Sequence, residues 1–265
     1  MLSQIENEME LETFKKIVSA LVDVSTINCL GDSHTRPGGD KPHWLNSRVR
    51  TNKLVKVIKA RSLDIICLQE FQSVQKSHFL KKSYIKKHYG LHNEADNAVA
   101  WDRRIWKKVD SGFYSIPYFG GQTKKMPWVV LQHLKTGVRI VVSSAHSPAN
   151  TRGDASEWRR QGWKNIGEWA QYAADLRHID AVFVGLDANA YAKYFRPAIS
   201  KVGGTISGID EFWGIDYNVM WTGKVEGLDD PSDEPEWHFH ESYRTDRISK
   251  MTDHPVVRGK VKIYI

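Results

Sequence analysis

Cysteine is scarce in this chain of 265 residues, which contains only Cys29 and Cys67. Two thiols cannot stabilise a chain of this length through disulfides, so we expect a reducing, cytoplasmic location and two buried core thiols. No run approaches the roughly 20 apolar residues of a membrane-spanning helix, and we expect no membrane partner. Residues 1–8 are acidic and lack the basic start and apolar block of a secretion signal.

Several other sequence signals are missing as well. The chain has no internal repeat, no low-complexity tract, no Cys/His spacing typical of zinc and no Gly-rich phosphate loop. Hydrophobic residues make up 41% and charged residues 26%, which is typical of a globular protein and excludes wholesale disorder. Lys and Arg exceed Asp and Glu by 38 to 31, and the resulting charge of +7 is compatible with a polyanionic partner.

Short apolar runs alternate with helical patterns along the chain. Runs rich in β-branched residues predict strands of a buried sheet at 22–30, 64–69, 99–101, 128–131, 138–145, 181–186 and 217–221. Apolar residues at helical spacing predict a leading helix over 5–21 and further helices over 46–62 and 156–177. Long irregular loops are predicted at 31–45, 111–127 and 222–250. The alternation indicates an α/β or α+β layered domain.

Polar side chains gather where the predicted strands end. In chain order they are Asn28, Glu70, His146, Asp187, Asn189, Asp216, Asp253 and His254. Enzymes built on sheets place their sites at strand ends, because the strands fix the side chains while loops cover them. Carboxylate and amide oxygens suit Mg²⁺, and histidines beside carboxylates act as acid, base or phosphate ligand. The set therefore predicts phosphate chemistry with a hard metal ion.

Each of these residues taken alone also has a structural explanation. Glu70 could follow a strand that simply leaves the core, and His146 could be a structural histidine. Asp187 with Asn189 could form a turn or a helix cap, and Asp253 could lie in a surface turn. The prediction of a site therefore depends on the ordered set, in which every member lies within or after a strand-like run.

This order, with Leu-Gln-Glu ending at Glu70 and Asp-His-Pro beginning at Asp253, resembles the endonuclease/exonuclease/phosphatase superfamily of deoxyribonuclease I-like proteins. The resemblance covers residues 22–264. It implies a four-layer α/β sandwich in which two central mixed β-sheets are flanked by helices. It also implies a single catalytic domain, 22–265, and we expect 1–21 to form a helical extension before it.

The resemblance assigns the metal-binding residues. Glu70 is similar to the principal Mg²⁺ ligand of the family, and Asn28 and Asp253 match residues that support the metal or the phosphate. We therefore expect Mg²⁺ as the cofactor, with Mn²⁺ as a possible substitute.

The same resemblance assigns the catalytic residues. Asp187 and Asn189 match the pair that orients the attacking water and binds the phosphoryl group. His254 matches the histidine beside the scissile phosphate, and Asp216 the acid that orients it. His146 matches the histidine that donates to a phosphate oxygen or to the leaving group. Either Asp187 or the pair of His254 and Asp216 removes the water proton, and we favour Asp187.

Some positions depart from the known branches of the superfamily. Abasic-site endonucleases of the exonuclease III type usually carry Tyr at the position of His146 and Arg at that of Gly214. Trp213 lies where those enzymes often have an aromatic residue against the sugar, so we include it among the substrate-binding candidates beside the alternative of a core or rim tryptophan. The chain also lacks the disulfides of secreted deoxyribonucleases. It matches the superfamily without matching one branch closely.

Two segments differ sharply in charge. Residues 75–92 contain five lysines and no acid, with Phe79, Tyr84 and Tyr89 interleaved. The segment is either a phosphate-backbone contact assisted by stacking or a solvated helix face with its aromatic residues in the core. Residues 226–236 are acidic, which is typical of a solvated loop and of an edge that nucleic acid avoids.

Three arginines near the predicted strand ends are candidate phosphate ligands. Arg36 and Arg48 follow the first predicted strand, and Arg152 follows His146. Arg36 and Arg152 are our substrate-binding candidates, with Arg48 as an alternative to Arg36.

The first hypothesis is a monomeric, Mg²⁺-dependent nuclease or phosphodiesterase that hydrolyses nucleic acid, with DNA as the expected substrate, by in-line attack of water. The alternative is a phosphatase, or a phosphodiesterase of phospholipids or inositol phosphates, from the same superfamily. A third hypothesis is a catalytically inactive module that binds nucleic acid. Relatives of that kind usually lose a metal-binding or water-positioning residue, and every such residue is present here.

Overall fold

The computed structural model describes residues 19–176, 178–191, 193–195, 197, 205–207, 216–221, 251–254 and 256–264. Several sequence predictions lie outside these residues. They are residues 1–18 of the N-terminal extension, which include most of the predicted leading helix, then Trp213, Gly214, the loop 222–250 with its acidic segment 226–236, and the side chain of Asp216.

Two mixed β-sheets form the centre of the fold. The first sheet consists of β1 (Ser19–Asn28), β2 (Ile65–Gln69), β3 (Tyr89–Glu94), β4 (Asn97–Asp102) and β11 (Val257–Tyr264). Its strand order is β11-β1-β2-β4-β3, with β1 and β2 parallel and the other neighbours antiparallel.

The second sheet has six strands: β5 (Trp106–Pro117), β6 (Thr123–His133), β7 (Arg139–His146), β8 (Ala181–Asp187), β9 (Thr205–Ser207) and β10 (Asp216–Trp221). Its order is β5-β6-β7-β8-β10-β9, and β7 and β8 are its parallel pair. Each sheet therefore contains one parallel pair, and both pairs end in residues of the predicted site.

The described helices include α1 (Asp32–Thr35), α2 (Ser47–Arg61), α3 (Ser73–Leu80), α4 (Ser83–His88) and α5 (Ser156–Ala174). Asn46 caps α2 because its side-chain oxygen accepts a hydrogen bond from Val49 N at 3.0 Å. None of these described helices is long and apolar enough to cross a membrane.

Three apolar clusters separate four layers. Cys67 of β2 lies in the cluster between the two sheets, and its neighbour Leu68 lies in the cluster under α2 and α3. This is the alternation of a strand that is buried on both faces. Trp163 and Ile166 of α5 pack on the outer face of the second sheet. The predicted four-layer sandwich with two central sheets is confirmed.

The structure also corrects two predicted boundaries. Residues 111–127 are not an irregular loop, because most of them belong to β5 and β6, whose exposed polar residues hide the strand pattern. Ser19 to Leu21 begin β1 and do not continue the predicted leading helix. Leu21 is exposed whereas its neighbours Ala20 and Val22 are buried, which is the alternation of a strand. Cys29 and Cys67 are buried and unpaired with each other, as predicted.

Candidate active site

The two sheets bring the ends of their parallel strands to one edge of the sandwich. Asn28 is the last residue of β1, and Glu70 directly follows β2. His146 ends β7 and pairs in register with Asp187 at the end of β8. Asp216 opens β10 and is the antiparallel register partner of Asp187. Strand register alone therefore places five predicted site residues at this edge.

Three residues at this edge have left-handed backbone conformations. Leu30, Glu70 and Asn189 have φ angles of 50°, 50° and 48°. Asn tolerates this conformation, whereas a leucine or glutamate in it costs roughly 1–2 kcal/mol. The chain turns sharply after β1, β2 and β8, which keeps the side chains of all three turns at the strand ends.

Asn28 joins the two sheets through its side-chain amide. Its Nδ2 donates to Glu70 Oε1 at 3.1 Å and to Asp187 Oδ2 at 2.8 Å. Its Oδ1 accepts from Leu30 N at 2.8 Å, which fixes which end of the amide faces the carboxylates. Asn28 is buried, so this bridge holds the two carboxylates in a defined arrangement.

The other oxygen of Glu70 faces the loop after β1. Glu70 Oε2 accepts from Gly31 N at 2.8 Å and lies 3.2 Å from His34 Nε2. The opposite ring nitrogen of His34 lies 2.7 Å from Asp40 Oδ1. His34 thus lies between Asp40 and Glu70 and orients the Glu70 carboxylate from the solvent side.

These contacts determine the charges at Glu70 and His34. Burial opposes ionisation of Glu70, but the pKa of the carboxyl is held well below its usual range. The hydrogen bond from His34 is the largest influence in this direction, and hydrogen bonds from Gly31 and Asn28 contribute to it. The hydrogen bond to Glu70 is also the largest influence on His34 and raises its pKa to about 9. At neutral pH the pair therefore consists of a carboxylate and an imidazolium.

Asp187 is fully buried between two histidines. Its Oδ1 accepts from Asn189 N at 3.0 Å, and its Oδ2 lies 3.5 Å from His146 Nε2 and 3.9 Å from His254 Nδ1. A carboxylate held by an amide and faced by two imidazoles can accept a proton and can hold each ring in one orientation.

Lys124, at the start of β6, contacts the far side of His146. Its Nζ lies 2.7 Å from Asp96 Oδ1, 4.8 Å from the centre of the Tyr118 ring and 3.5 Å from His146 Nδ1. An ammonium group carries only donors, so this contact favours an accepting Nδ1 and a ring proton on Nε2, facing Asp187. Burial and then the charge of Lys124 lower the pKa of His146, which favours the neutral ring.

Beneath these residues, Gln69 makes hydrogen bonds to residues of both sheets. Its buried Nε2 contacts Thr26 Oγ1 at 3.0 Å, Ser144 Oγ at 3.0 Å and Gly185 O at 3.2 Å. The sheets approach so closely here that a Cβ on Gly185 would lie 2.3 Å from Cys67 Cβ. The glutamine of the Leu-Gln-Glu element therefore supports the site from below.

Asp253 reaches the same edge on a separate segment. Thr252 Oγ1 donates to Asn28 O at 2.6 Å and thereby docks the segment on the end of β1. Asp253 forms an ion pair with Lys41. The predicted ligand is thus near the site, but its described partner is an ammonium group.

The two arginines that the sequence predicts to bind substrate are both on the surface. Arg36 is exposed just after α1. Arg152 is also exposed, and its guanidinium lies 5.3 Å from the centre of the Phe119 ring. Neither side chain has a described hydrogen bond to the carboxylate cluster, so their assignment stays a prediction.

The carboxylate oxygens of the cluster are suitable ligands for a hard cation. Glu70 is ionised and partly exposed, and its Oε1 lies beside Asp187 Oδ2 on the same amide nitrogen. Among the described residues, no group of three His, Cys, Asp or Glu side chains forms a complete metal site. Mg²⁺ usually takes one or two carboxylates and keeps water or substrate oxygens in its remaining positions, so a complete protein cage is not required.

Sequence reasoning missed two residues of the site. Lys124 falls in the stretch predicted to be irregular, and His34 lies in the short helix α1, two residues before Arg36. Extending the period-2 pattern of β6 backward would have found Lys124, because it shares a face with the buried Met126. No comparable pattern marks His34, whose contact with Glu70 depends on the loop conformation.

Comparison with solved structures shows the class of fold. The structure is similar to an endonuclease/exonuclease/phosphatase from Bacteroides vulgatus, with a TM-score of 0.68 and 13% sequence identity over 92% of this chain and 99% of that chain. No protein-family model and no curated protein matches the chain. The resemblance to the deoxyribonuclease I-like superfamily is thus confirmed at the level of the fold.

Two further structures show the range of activities found on this fold. One is D. rerio TDP2 complexed with a single-stranded DNA product, at a TM-score of 0.61 and 13% identity over 91% of this chain and 99% of that chain. The other is a mannosyl-6-phosphatase from Bacteroides thetaiotaomicron, at 0.62 and 12% over 91% and 99%. At these identities the likeness concerns the fold alone.

Proposed function

We propose that the protein is a Mg²⁺-dependent phosphodiesterase that hydrolyses phosphodiester bonds of nucleic acid by in-line attack of water. The observation that carries the proposal is the amide of Asn28, which joins Glu70 to Asp187 where the two sheets meet. His146 and His254 face the same oxygen of Asp187. The shared fold with a structure that holds a DNA product supports nucleic acid as the substrate class.

Glu70 would be the principal metal ligand, with Asn28 and Asp253 in support. A bound Mg²⁺ would neutralise charge on the phosphate oxygens and help to place the substrate. Asn28 supports this role by holding Glu70 through its amide nitrogen, since its oxygen is engaged by Leu30. Mn²⁺ is the expected substitute ion, because it accepts the same oxygen ligands.

Asp187 would accept the proton of the attacking water while the water oxygen bonds to phosphorus and the ester oxygen leaves. Its position suits this role, because Asn28 and Asn189 fix the carboxylate in one orientation. His146 would donate from Nε2 to a phosphate oxygen or to the leaving oxygen, and His254, with Asp216 as its proposed partner, would stabilise the phosphate. Positioning and charge stabilisation would supply most of the rate gain.

A substrate panel tests this proposal. The protein is incubated with plasmid, single-stranded DNA, RNA, an abasic oligonucleotide and inositol phosphates, each with Mg²⁺ or with EDTA. We expect nucleic acid to be cleaved in Mg²⁺ only, and we expect Asp187→Ala to abolish cleavage. Absence of any Mg²⁺-dependent cleavage, or full activity of Asp187→Ala, would contradict the mechanism.

A phosphatase is the second candidate, because a mannosyl-6-phosphatase shares the fold. In the same panel, hydrolysis of the inositol phosphates alone would assign the protein to this class. Binding of nucleic acid without cleavage would instead favour an inactive binding module.

A further inference from the structure

The helices on the outer face of the first sheet carry positive charge and no acidic residue. Residues 41–63 and 71–93, which contain α2, α3 and α4, hold twelve Lys and Arg residues and not one Asp or Glu. Twelve exceeds the net charge of +7, so the rest of the chain is net negative. The excess of positive over negative charge in the sequence is therefore carried by these two segments.

A groove of about 370 Å³ lies between α2 and α3 within this layer. Its lining residues are Arg48, Ser73, Val74, Ser77, His78 and Lys81. Ser73, Ser77 and Lys81 are spaced four residues apart, so they form one stripe along α3. Both cationic side chains of the lining are exposed. Two hydroxyls, one imidazole and two cations thus share one concave surface.

The charges in the groove repel each other. His78 hydrogen-bonds Asn52 Oδ1 at 3.0 Å, and slight burial followed by the charges of Lys82, Arg48 and Lys81 lowers its pKa below the usual value. Within the part of the chain that the structure describes, neither Arg48 nor Lys81 forms an ion pair. A concave surface with uncompensated cations attracts an anion.

The groove begins beside the candidate active site. Ser73 follows Glu70 by three residues. Gln72 Oε1 accepts from Ser33 N of α1 at 2.9 Å, and Gly31, just before α1, donates to Glu70. Arg48 follows Ser47, whose hydroxyl hydrogen-bonds Asp32. From Ser73 to Lys81 the stripe extends about 12 Å along the helix, at roughly 1.5 Å per residue.

We propose that this groove binds phosphates of the nucleic-acid strand that flank the cleaved bond. The inference rests on the proposed function and deepens it. Nucleic-acid backbones are held by Lys and Arg and by Ser hydroxyls. Phe79 and Tyr89 of the basic segment are buried in the core, so the groove offers charge and hydroxyls rather than a stacking platform. The contact is therefore independent of base sequence.

Paired substitutions test the groove. Arg48→Gln/Lys81→Gln removes two groove cations. The control, Lys107→Gln/Lys135→Gln, removes two exposed cations near the start of β5 and the end of β6, away from the site. Binding of a fluorescent single-stranded 15-nucleotide DNA is measured by anisotropy in EDTA at several salt concentrations. We expect the groove variant to bind about tenfold more weakly, with a salt slope smaller by about 1.4. The control variant should stay within about twofold of the wild type.

Two readouts separate this proposal from the proposed function. Equal DNA affinities of the groove variant and the control variant, with unchanged melting temperatures, would overturn the proposal that the groove binds the strand. Loss of inositol hexakisphosphate binding in place of DNA binding would overturn it as well, because the groove would then take a compact polyphosphate. Hydrolysis of bis(p-nitrophenyl) phosphate, which is too small to reach the groove, reports the active site. A wild type that cleaves no diester, while the groove variant still loses DNA affinity, would reject only the proposed function.

Discussion

Asn28 donates from one amide nitrogen to carboxylates of two different sheets, Glu70 and Asp187. Without this donor the two carboxylates would face each other with no hydrogen-bond donor between them. Their mutual repulsion would then displace both side chains. Much of the site therefore depends on a single buried side chain that need not touch the substrate.

The substitution Asn28→Ala tests this dependence. We expect kcat for nucleic-acid cleavage to fall about 10²–10³-fold with little change in KM, because positioning in the transition state is lost. Asn93→Ala, on the edge strand β3, is the matched control and should keep wild-type activity. Asn28→Ala activity within threefold of the wild type would show that the bridge is dispensable.

Lys124 provides a second test at the scale of one residue. Replacing it with Met keeps the length of the side chain but removes the donor to His146 Nδ1, so both ring tautomers should become populated. Nitrogen-15 NMR of His146 in the metal-free protein measures this directly, and kcat should fall about tenfold or more. Lys124→Arg restores a donor and should recover the tautomer. An unchanged His146 spectrum in Lys124→Met would contradict the assignment.

At the scale of elements, apolar runs predicted the strands that supply the site, because both faces of those strands are buried. They did not predict β5, whose residues are largely exposed and polar. The order of site residues predicted which side chains meet at the sheet edge. Asn28, His146 and Asp187 end strands of the parallel pairs, and Glu70 directly follows such a strand. Contacts made by loops, such as His34 with Glu70, depend on backbone turns that no periodicity encodes.

The close approach of β2 and β8 gives a prediction for these elements. Gly185→Ala places a Cβ 2.3 Å from Cys67 Cβ, so the sheets must separate beneath Gln69, at a cost of about 1–3 kcal/mol in the free energy of unfolding. Chemical denaturation measures this loss. In Gly185→Ala/Cys67→Gly the clash is removed, and the double variant should lose less stability than the sum of the single variants. Strictly additive losses would show that the two strands do not clash.

At the scale of the whole molecule, charge is unevenly distributed over the sandwich. The basic helices cover the first sheet on one side. At the end of that sheet away from the site, Asp23 and Asp102 lie near Asp64. Arg258 and Arg104 form ion pairs with Asp23 and Asp102. Burial, followed by the charges of Asp23 and Asp102, raises the pKa of Asp64 to about 7. The molecule thus retains a carboxyl group whose ionisation opposes folding at neutral pH.

Asp64→Asn tests the consequence for stability. Because the folded-state pKa lies above the unfolded value, the stabilising contribution is complete below about pH 4 and is lost as the pH rises towards 7. The variant should therefore gain stability over the wild type by about 2 kcal/mol between pH 4 and pH 8, after allowance for partial exposure. Urea denaturation of both proteins across this range measures the difference. A difference independent of pH would mean that Asp64 titrates normally.

In the proposed function, Glu70 is the residue that makes the cluster at the sheet edge a Mg²⁺-dependent hydrolytic site. The most direct measurement is the rate of cleavage of a labelled single-stranded oligonucleotide at saturating Mg²⁺ by the wild type and by Glu70→Gln, which keeps the size of the side chain and removes its charge. We predict a rate at least about 10³-fold lower for the variant. Cleavage by Glu70→Gln at the wild-type rate would contradict the proposed role of Glu70 as the principal Mg²⁺ ligand.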